Sequence, residues 1–200
     1  MTTSPQAPAP PKADARANRF DTYMAVVRQA CSTPAGRAAL RDGLADDFRH
    51  RWPLYRHLLR HGQIPSAPDR DNELPYLLVA SLYALHDAPN PTTTNRPDKQ
   101  PRPSRPWRNL GWSYRTAVDR HLLASDHAES DLNSLAQLTL TSLYRALPGV
   151  VGQLRAQHVP VEWPVLLRDL TRWQRHGDEV RIAWARAFYN QDPRPTPTRW

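Results

Sequence analysis

The chain has 200 residues, 40% of them hydrophobic, enough for one domain or for two small lobes sharing a core. Twenty-seven Lys and Arg against 19 Asp and Glu leave a formal charge of +8, which favours a polyanionic partner, nucleic acid first. One cysteine, Cys31, excludes an intramolecular disulfide framework and Cys-rich zinc modules, and the lack of an apolar signal core or of a run of about 18 apolar residues leads us to expect a cytoplasmic protein with no membrane contact.

Residues 1–15 hold Pro5, Pro8, Pro10 and Pro11 among Thr, Ser and Ala and read as a disordered tail. An N-terminal helical lobe is expected over 16–88. Its first helix, about 17–31, repeats Phe20, Tyr23, Met24 and Val27 at helical spacing. Thr33 and Pro34 supply an N-cap and a helix-compatible first residue, and the helix they open places Leu40, Leu44 and Phe48 on one face. Pro53 is expected to open a short helix through Leu54, Leu58 and Leu59 to Gly62. Asn72 and Glu73 start the most apolar helix, whose stretch Tyr76–Leu85 is greasy nearly all round and predicts the buried centre of the lobe. Residues 89–106 hold Pro89, Pro91, Pro97, Pro101, Pro103 and Pro106, a density no helix survives, so they read as a Pro-rich basic loop.

The C-terminal lobe, 107–192, opens with a helix from Asn109 to about Ser125. A second helix over about 131–147 carries Leu132, Ala136, Leu140, Leu143 and Leu147, and Pro148 is expected to start a third, through Val151 and Leu154 to His158. The helix from Glu162 has a stripe of Trp163, Leu166, Leu167, Leu170 and Trp173, and a last helix after Asp178 turns Val180, Ala183, Trp184, Ala187 and Phe188 to one side. Residues 193–200 form a third Pro-rich stretch, read as a tail. No segment alternates with period two, so the expected fold is all-α: a two-lobed helical bundle joined by a Pro-rich loop.

The basic residues are almost all arginine; only Lys12 and Lys99 are lysine. A GC-rich genome explains that bias, and so does a need for planar forks that match phosphate oxygens. Arg168, Arg172 and Arg175 fall opposite the apolar stripe of their helix, either as a solvated face or as a ladder that tracks phosphates. Arg37, Arg41, Arg49, Arg51, Arg56 and Arg60 form a second basic stretch, diluted by Asp42, Asp46 and Asp47. His57 and His61 stand at i, i+4, but neither a third ligand nor an H-E-x-x-H arrangement accompanies them, so no metal or other cofactor is expected. His121 and His158 read as ordinary helix-face residues. A Gly-rich phosphate loop, a G-x-S-x-G elbow and a paired-carboxylate motif are all missing, and the expected protein is not an enzyme.

At the C-terminal helices the residues meet a family pattern. Val161-Glu162-Trp163, then Leu166-Leu167-Arg168-Asp169-Leu170 and Trp173, then Val180-Arg181, Trp184-Ala185-Arg186 and Phe188-Tyr189, resemble the closing signature of the CasB family, the small subunit of the type I-E CRISPR Cascade complex. Ala39-Leu40-Arg41, the Trp-Pro-Leu-Tyr stretch at 52–55, Leu82-Tyr83-Ala84-Leu85-His86 and Leu110-Gly111 extend the resemblance over about 35–190. It implies an all-helical, non-catalytic subunit that stacks head to tail with a second copy of itself beside the other Cascade subunits, helping to hold the crRNA–target heteroduplex and the displaced non-target strand by backbone phosphates. The phosphate contacts it suggests are Arg37, Arg41, Arg49 and Arg51 in the first lobe and Arg145, Arg155, Arg168 and Arg172 in the second. The chain departs from the pattern where Asp42 follows Arg41, where Asn133-Ser134-Leu135-Ala136 replaces a basic pair, and where Val151-Gly152 replaces a Leu-Arg step. Arg145 and Arg155 stand at neighbouring positions that compensate.

Three other readings compete. A helix-turn-helix regulator would use the turn at Arg175–Asp178, with Arg181, Ile182 and Arg186 outward. A pure protein scaffold would dock its arginines on neighbours' carboxylates without touching nucleic acid. A small hydrolase would need His57, His61 and a remote carboxylate.

Overall fold

A computed structural model of the chain describes residues 12–44, 48–59, 70–86 and 104–189. Among them are eight helices and no strand: α1 (Lys12–Ala30), α2 (Pro34–Asp42), α3 (Phe48–Leu59), α4 (Arg70–His86), α5 (Leu110–Asp119), α6 (Ser125–Ala136), α7 (Leu140–Ala156) and α8 (Trp163–Tyr189). The helices form two groups, α1–α4 and α5–α8, so the all-α, two-lobed expectation stands. Most of the expected Pro-rich loop, most of the N-terminal tail and all of the stretch 193–200 lie outside the described residues.

Local chemistry explains most boundaries and corrects several. α1 starts at Lys12 rather than near residue 17. Thr33 caps α2 by accepting from the Gly36 N–H at 3.1 Å, with Pro34 in the first turn as expected. α2 then stops at Asp42, where the Gly43 N–H closes a tight turn onto the Leu40 carbonyl at 3.2 Å, so Leu44 and Phe48 do not continue its stripe. Phe48 instead opens α3, and Pro53 lies inside that helix instead of starting it. Pro148 is likewise interior to α7, not at its head. A mid-helix proline deletes one backbone hydrogen bond. In α7 the buried stripe Leu143, Leu147, Val151, Leu154 runs straight past it, and in α3 the fully buried Leu54 and Leu58 follow it, so packing outweighs the loss. The break expected at Pro148 comes earlier, at 137–139, where the Thr139 hydroxyl accepts from the Ser142 N–H at 3.3 Å and starts α7.

α5 ends at Asp119, short of the expected Ser125, and the reason is His121. His121 adopts φ 57°, and the turn closes with Leu122 N–H donating to the Ala117 carbonyl at 2.9 Å and His121 N–H to Val118 at 2.9 Å. α7 ends the same way: His158 adopts φ 56°, with Val159 N–H on Leu154 at 2.9 Å and His158 N–H on Arg155 at 3.0 Å. Both are Schellman caps with histidine where glycine is usual, so neither residue is an ordinary member of a helix face. Replacing either His121 or His158 by Gly is expected to stabilise the chain by about 1 kcal/mol, because a left-handed side chain costs that much. Chemical denaturation of H121G and H158G, with raised midpoints at unchanged slope, checks this.

α8 carries both expected C-terminal helices. Its one non-helical residue, His176 (φ −138°, ψ 33°), marks the break expected between them. α8 packs on α5 but also on α1 and α4, and the buried apolar side chains of both groups form one continuous core. Tyr83 and Trp163 meet edge to face across the groups with centroids 5.9 Å apart. Tyr23 and Tyr76 do the same within the first, at 5.0 Å, and the buried Tyr23 hydroxyl donates to the Tyr76 carbonyl at 2.7 Å.

Candidate nucleic-acid interface

The arginines singled out above, where their side chains are described, occupy distinct environments. In the first group Arg37 is half-buried, its Nε donating to the Ala84 carbonyl at 3.3 Å, which ties α2 to the end of α4. Arg41 ends α2 exposed, 3.7 Å from Asp42, too long and too solvated a pair to hold it. Arg49 and Arg51 lie on α3, and their side chains fall outside the described residues.

In the second group Arg145 is exposed on α7 and has no partner among the described residues. Arg155 is half-buried and donates to the Val159 carbonyl at 2.8 Å, bracing the α7 cap. Arg168 and Arg172, expected to face outward together, are both engaged by the chain's own acids. Arg172 pairs with Glu179, whose other oxygen lies 3.3 Å from His176 Nδ1. Both partners are substantially exposed, so that pair is weak and exchangeable. Arg168 is different. It is only 24% exposed and chelates one oxygen of Asp169 through Nε at 3.0 Å and a terminal nitrogen at 2.8 Å, while also reaching the Pro106 carbonyl at 3.2 Å. Asp169 is 3% exposed and its other oxygen accepts from Trp184 Nε1 at 2.8 Å. Burial pushes the Asp169 carboxyl up, against the pull of Arg168 and the Trp184 hydrogen bond. Arg168 thus neutralises a buried charge where α8, its own second half and the residues leading into α5 meet.

A second basic cluster combines Arg105 and Arg108, which the sequence sets at the end of the basic loop, with Arg28, which sequence reasoning missed. Burial raises the Glu162 carboxyl, while the charges of Arg108 and Arg105 ahead of α5 and of Arg28 on α1 lower it and Asp21 opposes them. Arg108, just ahead of the Asn109 cap, stacks over the Trp112 ring at 4.7 Å. Trp107 and Trp112, set beside the basic loop in the sequence, are both half-buried here. Charge is not spread evenly. α6 carries Asp126, Glu129 and Asp131 and no Lys or Arg, so a polyanion is repelled from that face. His57 is half-buried on α3, His61 lies outside the described residues, and no cluster of metal-ligating side chains exists among the described residues. None of the described helices is long and apolar enough to cross a membrane.

The chain matches the model of the family described as CRISPR-associated protein Cse2 over residues 36–189. Its structure resembles a chain of a CRISPR RNA-guided surveillance complex caught before nicking, with 27% identity, a TM-score of 0.67 and 86% of this chain covering 92% of that one. It also resembles CasB of M. ruber, at 28% identity and TM-score 0.64, with 86% of this chain covering 92% of that one. A Cse2-family protein of Thermus thermophilus shares the fold at 22% identity and TM-score 0.60, with coverages of 86% and 97%. No curated protein matches the chain.

Proposed function

The chain belongs to the Cse2 family of CRISPR-associated proteins, and from that premise we propose that it is the non-catalytic small subunit of an RNA-guided surveillance complex, gripping nucleic-acid backbones rather than reading bases. It would sit beside the other Cascade subunits and a second copy of itself, stacked head to tail, and help hold the crRNA–target heteroduplex and the displaced strand. The observation that carries this reading is the presence, on a family fold, of exposed arginines that no strong internal pair consumes: Arg41 and Arg145, with Arg172 held only by an exposed pair. Arg49 and Arg51 are proposed to join Arg41. Arg37 and Arg155, each giving one N–H to a carbonyl, are proposed as further contacts. Arg168 is assigned to the frame, because moving it to a phosphate would strand Asp169.

The test is Arg41→Glu with Arg145→Glu in the assembled complex. R-loop formation is expected to weaken, and the slope of log affinity against log salt to fall by about 2, near 0.9 per lost phosphate contact. Intact assembly with an unchanged slope would remove these arginines from the grip. Failure to assemble, with neighbours no longer bound, would favour the scaffold reading instead, where the same forks meet carboxylates. A helix-turn-helix regulator is not supported by the shape of α8: one residue leaves helical geometry, and Arg181 Nε is committed to the Ala136 carbonyl at 2.6 Å.

A further inference from the structure

Beyond the kink, α8 turns Val180, Trp184 and Phe188 inward and leaves Glu179, Ile182, Arg186 and Tyr189 along its outer ridge. Ile182 is 52% exposed and Tyr189 59%. Beside the ridge runs a groove of about 520 Å³, walled by Pro106 and Trp107 and floored by Ala183 and Ala187. The chain therefore carries an apolar knob and an apolar slot side by side on one surface. Small side chains in the slot let a second backbone come close.

We propose that this ridge is a two-fold contact between two copies of the chain, with α8 packed antiparallel on α8. The charges select the occupant. Glu179 and Arg186 stand at i and i+7, symmetric about Ile182–Ala183, so reversing the helix places Glu179 against the second copy's Arg186 and Arg186 against its Glu179. Arg186 has no partner among the described residues, and the Glu179 side chain, though it already faces Arg172 and His176 of its own chain, is 63% exposed and open to a further cation from solvent. Ile182 of each copy then enters the Trp107–Ala183 slot of the other. The contact is isologous, hence separate from the head-to-tail stacking proposed above. It is measured on the chain without nucleic acid, so its failure leaves the phosphate-gripping reading where it stands. One helix ridge is small for a specific interface, which implies a dimer in the micromolar range.

Analytical ultracentrifugation of the full chain from about 1 to 100 µM is expected to show a monomer–dimer equilibrium. Ile182→Asp and Ile182→Ser should each raise the dimer Kd at least about tenfold, with circular dichroism and Tm unchanged because the position is exposed. Arg186→Glu and Glu179→Arg should each weaken the dimer, and the doubly reversed chain should return to within about threefold of the wild type. A monomer at every concentration, a dimer indifferent to Ile182→Asp, or a double reversal that restores nothing overturns the inference. So does an Ile182→Asp chain of unchanged mass that has lost nucleic-acid binding, since the ridge would then meet a strand.

Discussion

Gly111→Ala is expected to destabilise the chain by about 3 kcal/mol, the upper end of what overpacking costs, read as a lower denaturation midpoint at unchanged slope. A Cβ on Gly111 would lie 1.9 Å from the Trp184 carbonyl oxygen, with the Trp184 carbonyl carbon and Cα at 2.7 and 3.0 Å. These are backbone atoms of a buried turn of α8 and cannot rotate aside, so α5 and α8 must separate. The neighbouring cap resists that movement. Asn109 accepts from the Trp112 N–H at 3.2 Å and donates through Nδ2 to the Ala183 carbonyl at 3.0 Å, pinning the start of α5 to the same turn of α8. Gly149→Ala is the control: nothing lies within 4 Å of the new methyl, and α7 should gain about 1 kcal/mol of helix propensity. If both substitutions behave alike, the close approach of the two helices is not what requires glycine at 111.

Arg168→Ala should cost about 3 kcal/mol at neutral pH, because it leaves the Asp169 carboxylate buried without its cation. Asp169→Asn should cost less than about 1 kcal/mol, since an amide oxygen still accepts from Trp184 Nε1 and no charge is left inside. The double variant should therefore be milder than Arg168→Ala alone. The pH dependence carries a definite sign. Folding raises Asp169 above its ordinary value, so the folded chain holds that proton more tightly than the unfolded one. The resulting stability is fully present below the unfolded carboxylate pKa, near 4, and is lost as pH rises through the higher folded value. Removing Arg168 raises the folded value further, so the deficit of R168A should shrink toward pH 4. Equal destabilisation by R168A at pH 4 and pH 7, in urea titrations, would show that Arg168 acts through packing and not through the carboxylate.

The apolar stripes make most of the fold readable beforehand. Trp163, Leu166, Leu167, Leu170 and Trp173 are buried as their spacing requires, and the Thr33–Pro34 start of α2 is where its chemistry puts it. Prolines mislead twice: Pro53 and Pro148 have the chemistry of helix openers, yet burial on either side of them holds the helices through. The His121 and His158 caps leave little trace in the sequence, because histidine enters left-handed backbone far less often than glycine and marks no helix end by itself. The interface is harder. The angle of Arg168 from the stripe points it outward, while Asp169, three residues after Leu166 and four before Trp173, sits on the stripe's own flank and draws the guanidinium inward. Both acids are near in the chain: Asp169 directly follows Arg168, and Glu179 comes seven residues after Arg172, across the break at His176, so what the spacing hides is the burial of the first and the bend that brings up the second.

α8 touches α1, α4 and α5 and ends beside α6, so a single backbone belongs to both helix groups. A hinge between the lobes would have to shear that helix out of a shared interior, which is a costlier motion than bending a tether. Within the assembly proposed above, this subunit would therefore act as a strut, passing displacement from one end to the other, with the give confined to its outer contacts.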